Sequence, residues 1–286
     1  MAISIGANAW IWTSPFTTDN EGLALMDKAK QMGFDSFEFG LEDLSHVDAA
    51  KLKQKMQQTG LRVVVCGAFG PDRDLTHEDG SVRENSLNYI TQAIQLCQKA
   101  GCKTLGGPMY SAVGKRRHVT PDQKKTEWDR AVKGIKEAGK RAKDHGVLLA
   151  IEPLNRFETD LINTAEQCKR LVEDIGDRTV GIHLDSFHMN IEEKNSAAAI
   201  RLAGKQLYHF HACENDRGAP GSGVNIDWDG VSAALKEVGY ARQAVIESFT
   251  PKTMSIAAAA AIWRQFEPSQ DALAQNGLKF LRNKLL

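Results

Sequence analysis

Residues 182–193, IHLDSFHMNIEE, set one Asp, two His and two Glu within twelve positions, all groups that move protons or hold cations. Folded as a helix, the stretch would put Asp185 with His188, or His188 with Glu192, on one face as a self-contained metal box. Folded as a strand running into a loop, it would deliver only Asp185 to a shared site. Three distant residues favour the second reading. Glu152, Asp185, His211 and Glu247 follow one another at intervals of 33, 26 and 36 residues, and each closes a short apolar run: VLLAIEP, VGIHLD, QLYHFHA and QAVIES. Three carboxylates and an imidazole brought together on a buried rim would repel one another without a cation. The oxygen-rich set suits Mn2+, Mg2+ or Co2+ better than a thiolate-type zinc site. The plainer alternative is a group of hydrogen-bonded interior polar side chains.

The elements that must position these residues repeat along the whole chain. Eight β-rich runs, at 3–10, 36–40, 61–67, 102–107, 147–153, 180–185, 206–212 and 243–248, alternate with helical periodicity, clearest at 81–100 and 122–144. Glycines close the preceding helices, as in KQMGFDSF, QQTGLRVV, QKAGCKTL, KDHGVLLA and KEVGYARQ. This rhythm predicts an α/β fold, a (β/α)8 TIM barrel over residues 1–286 as a single domain, with an extra C-terminal helix from PSQDALAQNGLKFLRNKLL. A doubly wound sheet would want a glycine fingerprint, and GAFGPDRD after the third run does not match it.

In a barrel of this kind the C-terminal strand ends carry the chemistry. Alternation agrees: with Glu152, Asp185, His211 and Glu247 facing inward, Leu149 and Ile151, Ile182 and Leu184, Tyr208 and Phe210, and Ala244 and Ile246 face the helices. His183 and His209 then point inward one layer lower. The segment after Asp185 is expected to be a loop carrying His188, with Glu192 and Glu193 as structural groups.

Composition excludes some partners. With 36 basic and 36 acidic side chains and 42% hydrophobic residues, the chain lacks the basic excess that nucleic acid or an anionic membrane usually recruits. The basic run GKRRH at 114–118 is expected to be a solvated loop. Five scattered cysteines without a CxxC pair imply free thiols in a reducing compartment, and MAISIGANAW has no leader pattern, so a cytoplasmic protein is expected.

The segments EPLNRFE (152–158), LDSFHMNIEE (184–193), HFHACENDRGAPGSG (209–223) and VIESF (245–249) resemble the ketose 3-epimerases of the xylose-isomerase-like barrel superfamily. The resemblance implies one divalent ion per subunit, Mn2+ first with Co2+ or Mg2+ as alternatives, held by Glu152, Asp185, His211 and Glu247. It makes Glu152 and Glu247 the proton-transfer pair that inverts C3 of a free ketose, of the D-tagatose, D-allulose/D-fructose or L-ribulose class, through a cis-enediolate. Glu158, His188 and Arg217 would hold the sugar's C1 to C3 oxygens, and a homodimer or homotetramer is implied. Cys66 and Trp12, with Trp10 and Phe16, are candidates to wall the far end of the sugar. The chain departs from many relatives after the fourth strand, where PMYSAVG has Tyr110 in place of a bulky Trp. Rival readings are a hydroxypyruvate-isomerase-like or inosose-dehydratase-like enzyme, an endonuclease IV-like phosphodiesterase, and a non-catalytic sugar- or metal-binding barrel.

Overall fold

The computed structural model describes residues 2–286. Helix starts follow from short polar side chains that satisfy free backbone N–H groups: Asp19 caps α1 (Asn20–Met32), Asp48 caps α2 (Ala49–Thr59), Asp79 caps α3 (Gly80–Ala100), Thr120 caps α4 (Pro121–His145), and Thr164 caps α5 (Ala165–Ile175). The ends follow from glycine. Gly33 and Gly146 sit at φ 97° and 65°, left-handed conformations that turn the chain out of α1 and α4.

The strands are β1 (Ser4–Asn8), β2 (Ser36–Leu41), β3 (Arg62–Gly67), β4 (Thr104–Gly107), β5 (Leu148–Ile151), β6 (Val180–Asp185), β7 (Leu207–Ala212) and β8 (Gln243–Ile246). They pair in parallel, each with its sequence neighbour, and β8 returns to β1, closing the barrel. The fold is the expected (β/α)8 barrel. Outward residues such as Phe37, Phe39, Leu149, Ile182, Phe210 and Ile246 join the helices in one continuous apolar layer. Each such fully buried side chain stabilises the fold by roughly 1.5–3 kcal/mol. Val64, Ala150 and Val245, also buried, alternate with them and face the barrel axis, where they share the interior with polar groups.

The C-terminal half inserts α6 (Ser186–Glu192), α7 (Ser196–Ala203), α8 (Trp228–Glu237) and α9 (Met254–Ala259) before α10 (Gln270–Leu285). Leu273, Leu278 and Leu281 bury the inner face of α10, which Asp271 and Arg282 tie to Lys28 and Asp35. No helix among the described residues is long and apolar enough to cross a membrane.

One expectation is corrected and another is refined. The segment after Asp185 is a helix, not a loop: Asp185 Oδ1 accepts from the Phe187 backbone N–H at 2.8 Å, so the residue that ends β6 also caps α6. The GKRRH stretch is the expected loop, with Gly114, Arg116, Arg117 and His118 exposed, and it is tethered by ion pairs. Lys115 reaches buried Asp74 at 2.6 Å, and Arg117 pairs with buried Glu127 at 2.9 Å and with Asp160 at 3.1 Å. These bonds pin the loop after β4 to the loop after β3, to α4 and to the loop after β5.

Candidate active site and metal centre

Four consecutive strands bring their ends to one point. Glu152 follows β5, Asp185 ends β6, His211 lies near the end of β7 and Glu247 follows β8, all buried. Backbone bonds from Glu152 to Gly107 and from Glu247 to Ala212, each 3.2 Å, continue the ladders and hold the two glutamates at rim height. One ligand atom from each of the four residues lies within 4.8 Å of the others. His211 Nδ1 is buried without a hydrogen-bond partner, 3.3 Å from Glu247 Oε2 and 3.8 Å from Glu152 Oε1. An orphaned imidazole nitrogen beside three carboxylates is a donor set that fits a divalent cation.

The protein supplies one positive group of its own. Arg217 stands at φ 67°, a strained backbone for a non-glycine residue, and its Nη1 lies 2.6 Å from Asp185 Oδ2 and 2.7 Å from Glu247 Oε2. Phe187 and Phe249 flank the guanidinium at 4.0 and 5.0 Å. Arg217 is therefore buried within the site.

The electrostatics separate the two glutamates. Burial, with Glu247 and Asp185 nearby, holds the Glu152 carboxyl well above the usual carboxylate range. Burial also works against charge on Glu247, but His211 and Arg217 outweigh it and keep Glu247 below that range. For His211 the cost of burial is exceeded by Glu247 and Glu38, which raise the imidazole well above its ordinary value.

His188, on the first turns of α6, accepts the Asn155 backbone N–H at Nδ1, 3.1 Å away. An acceptor at Nδ1 places the proton on Nε2, which lies 3.7 Å from Asp185 Oδ2 and 3.8 Å from Glu152 Oε1. Burial and Arg217 hold His188 well below its usual pKa, so it is a neutral donor. The Asn155 side chain also donates to Glu158 Oε1 at 2.7 Å, joining two of the expected substrate residues. Burial raises the Glu158 carboxyl, against the pull of Arg217.

These groups form the floor and one wall of a cavity of about 390 Å³, a size suited to a small molecule. Glu152, Glu158, His188, Arg217 and Glu247 line it, and Cys66 lines it opposite them. Trp12 does not. Its indole Nε1 donates to Asp271 at 2.6 Å on the α10 side. A short 3-10 turn at Ala9–Ile11 ends the strand alternation and puts Trp10 into the wall instead. Phe16 is core, stacked on Phe39 at 4.6 Å. Tyr110 is core as well, its hydroxyl bonded to the Ile162 carbonyl at 3.1 Å, and Val113 lines the cavity after β4. Glu192 and Glu193 are structural: they accept from Arg156 and from the Ala165 backbone at 2.7 Å.

Sequence reasoning missed Asn8, Glu38, Glu42 and Asn155. For Glu38 a signal existed, because a lone Glu between Phe37 and Phe39 in SFEFG must face inward if the phenylalanines face the helices.

The Xylose isomerase-like TIM barrel family model matches residues 26–284. A Synechocystis sp. protein named Probable ketose 3-epimerase is 35% identical over 98% of this chain and 96% of its own length. The L-ribulose 3-epimerase of Mesorhizobium japonicum is 31% identical over 97% of this chain and 92% of its own. The chain belongs to the ketose 3-epimerase family of xylose isomerase-like barrels. The crystal structure of the Methylomonas sp. D-allulose 3-epimerase in complex with D-allulose superposes with a TM-score of 0.91 at 26% identity, covering 99% of this chain and 97% of that one. Membership in this family makes the protein an enzyme of the isomerase class.

Proposed function

We propose that this ketose 3-epimerase family member inverts C3 of a free ketose, of the D-tagatose, D-allulose/D-fructose or L-ribulose class, with Mn2+ as its cation. The observation that carries the reading is the pair Glu152 and Glu247 at the ends of β5 and β8, on strands that flank β6 and β7, facing one cavity around Asp185 and His211. Inversion beside a carbonyl needs a proton removed from one face and another delivered to the opposite face. Two carboxylates on separate sides of a bound sugar meet that need, and a single base would not.

Glu152, Asp185, His211 and Glu247 would hold the cation. When bound, a divalent ion supplies Lewis-acid stabilisation of the negative charge that develops on the sugar's O2 and O3. The remaining work falls to the chain. One of Glu247 and Glu152 accepts the C3 proton while the other presents a proton to the far face, and the roles exchange in the reverse direction. The Nε2–H of His188 and the guanidinium of Arg217 donate to the sugar oxygens nearest the carboxylates, with Asn155 fixing the orientation of His188. Glu158 accepts from a sugar hydroxyl. Trp10, Phe69 and Phe249 exclude water from the reacting carbon.

The test is proton exchange in D2O. Protein loaded with Mn2+ and supplied in turn with D-fructose, D-allulose, D-tagatose and L-ribulose is followed by NMR. Deuterium entering at C3 together with the C3 epimer is the expected result. Exchange confined to C1 would replace the reading with aldose–ketose isomerisation.

A further inference from the structure

Below the rim lies a buried carboxylate that the mechanism does not use. Glu38, on β2, reaches across the barrel interior to β7. Its Oε1 accepts from Asn8 Nδ2 at 2.7 Å and lies 2.6 Å from His211 Nε2. Its Oε2 lies 2.6 Å from His209 Nε2, and Glu38, His209 and His211 are all fully buried. A carboxylate in a barrel interior is destabilising unless its partners compensate, so its placement against two imidazoles is a specific arrangement.

The chemistry of imidazole gives that arrangement a consequence. A ligating imidazole keeps one N–H and offers one lone pair, and the partner of the first nitrogen decides which atom is left for the metal. Glu38, an acceptor, claims the N–H at Nε2 of His211. The nitrogen that remains is Nδ1, which is without a hydrogen-bond partner and faces Glu247 and Glu152. The ring has little freedom to turn over, since His183 and His209 pack against it edge-on at 4.1 and 4.9 Å between centroids.

We propose that Glu38 is a positioning residue that holds the N–H of His211 on Nε2 and thereby presents Nδ1 as the imidazole ligand of the cation site. The inference rests on the reading of Glu152, Asp185, His211 and Glu247 as that site.

The experiment uses the full chain stripped with EDTA and titrated with Mn2+ alone, free Mn2+ being read by electron paramagnetic resonance. Glu38→Gln is expected to weaken binding by about 10–100-fold, with one site per chain retained. Asn8→Ala removes a bond to Glu38 without touching either imidazole, and serves as the comparator for general loosening of the interior. It should shift Mn2+ binding much less than Glu38→Gln. Equal weakening in both variants, or a Glu38→Gln affinity within twofold of wild type, overturns the proposal. Should Glu38→Gln not fold, the wild-type protein decides: long-range 1H–15N spectra of the diamagnetic Mg2+ form must show His211 protonated at Nε2, and a proton on Nδ1 sinks the idea. Asp185→Asn separates this question from the parent reading, because unchanged Mn2+ binding in that variant would refute the four-residue site itself.

Discussion

The two halves of the barrel are built from the same repeat yet end differently. Strands β5 to β8 lead to Glu152, Asp185, His211 and Glu247, whereas the cavity-lining residues at and after β3 and β4 include Cys66, Gly67 and Pro108. The first half contributes Glu38 one layer lower, where it meets His209 and His211 from the second half, and Glu42 at the cavity wall, where it holds the Trp10 indole. The second half thus presents the groups proposed to react, while the first half shapes a largely apolar wall and braces His211 through Glu38. A closed barrel makes this division possible because residues far apart in the chain share one interior.

The sharpest test of the division removes one of the two groups proposed to transfer the proton. Glu247→Gln or Glu152→Gln should lower kcat by about 10²–10⁴-fold while the fold persists. Near-normal turnover, measured by NMR of ketose epimerisation, would take that residue out of the mechanism. Substitutions in the first half should behave otherwise. A Cβ at Gly40 would come within 2.1 Å of the Trp10 indole, which is held by Glu42 at 2.9 Å and packs edge-on against Phe249. Gly40→Ala should therefore displace a cavity wall, raising KM with kcat largely kept, at a stability cost of about 1–3 kcal/mol. A fall in kcat with KM unchanged would erase the distinction between the halves.

A third variant probes how the second half is held together. Ser186 Oγ donates to the Cys213 carbonyl at 2.7 Å and accepts the Cys213 N–H at 2.8 Å, tying α6 to the chain after β7. Ser186→Ala leaves both buried backbone groups without that partner and should cost about 1–3 kcal/mol, read as a lowered Tm or denaturation midpoint.

The smallest effect lies at the seam between the halves, where Arg117 and Lys124 bind Asp160. Burial works against charge on Asp160, but these two cations outweigh it and keep its carboxyl below the ordinary value of 3.8. A depressed folded-state pKa contributes stability that is present above the unfolded value and lost as pH falls through the folded one. Lys124→Met, which leaves the Arg117–Glu127 pair in place, should therefore lower stability modestly at neutral pH, where the contribution is present in full, and move acid unfolding to higher pH. An unchanged acid midpoint would show that the clamp does not contribute.

Much of the site was legible because the repeat is regular. Helix-closing glycines and strand alternation locate Glu152, Asp185, His211 and Glu247 at one height without any coordinates, and His183 and His209 a layer lower. What was misread lay where the regularity stops. Trp10 and Trp12 follow β1 at a 3-10 turn, so period-two alternation no longer says which indole faces the cavity. The residues after Asp185 begin a helix in the space of one residue because the same carboxylate ends a strand and caps a helix. Lys115 and Arg117 look solvated in a basic run, since their acidic partners lie 41 and 10 or 43 residues away in the chain.

The sequence by itself determined the barrel, its eight strands and the four inward residues at the ends of the last four, because burial and periodicity act locally and repeat. Only the tertiary structure decided which atoms of those residues face one another. Closure brings β2 against β7 and puts Glu38 on His211. Asn155 meets His188 across the rim, and Arg217 turns into the carboxylates. Those choices depend on distances of a few ångströms between segments remote in sequence, which no local pattern encodes.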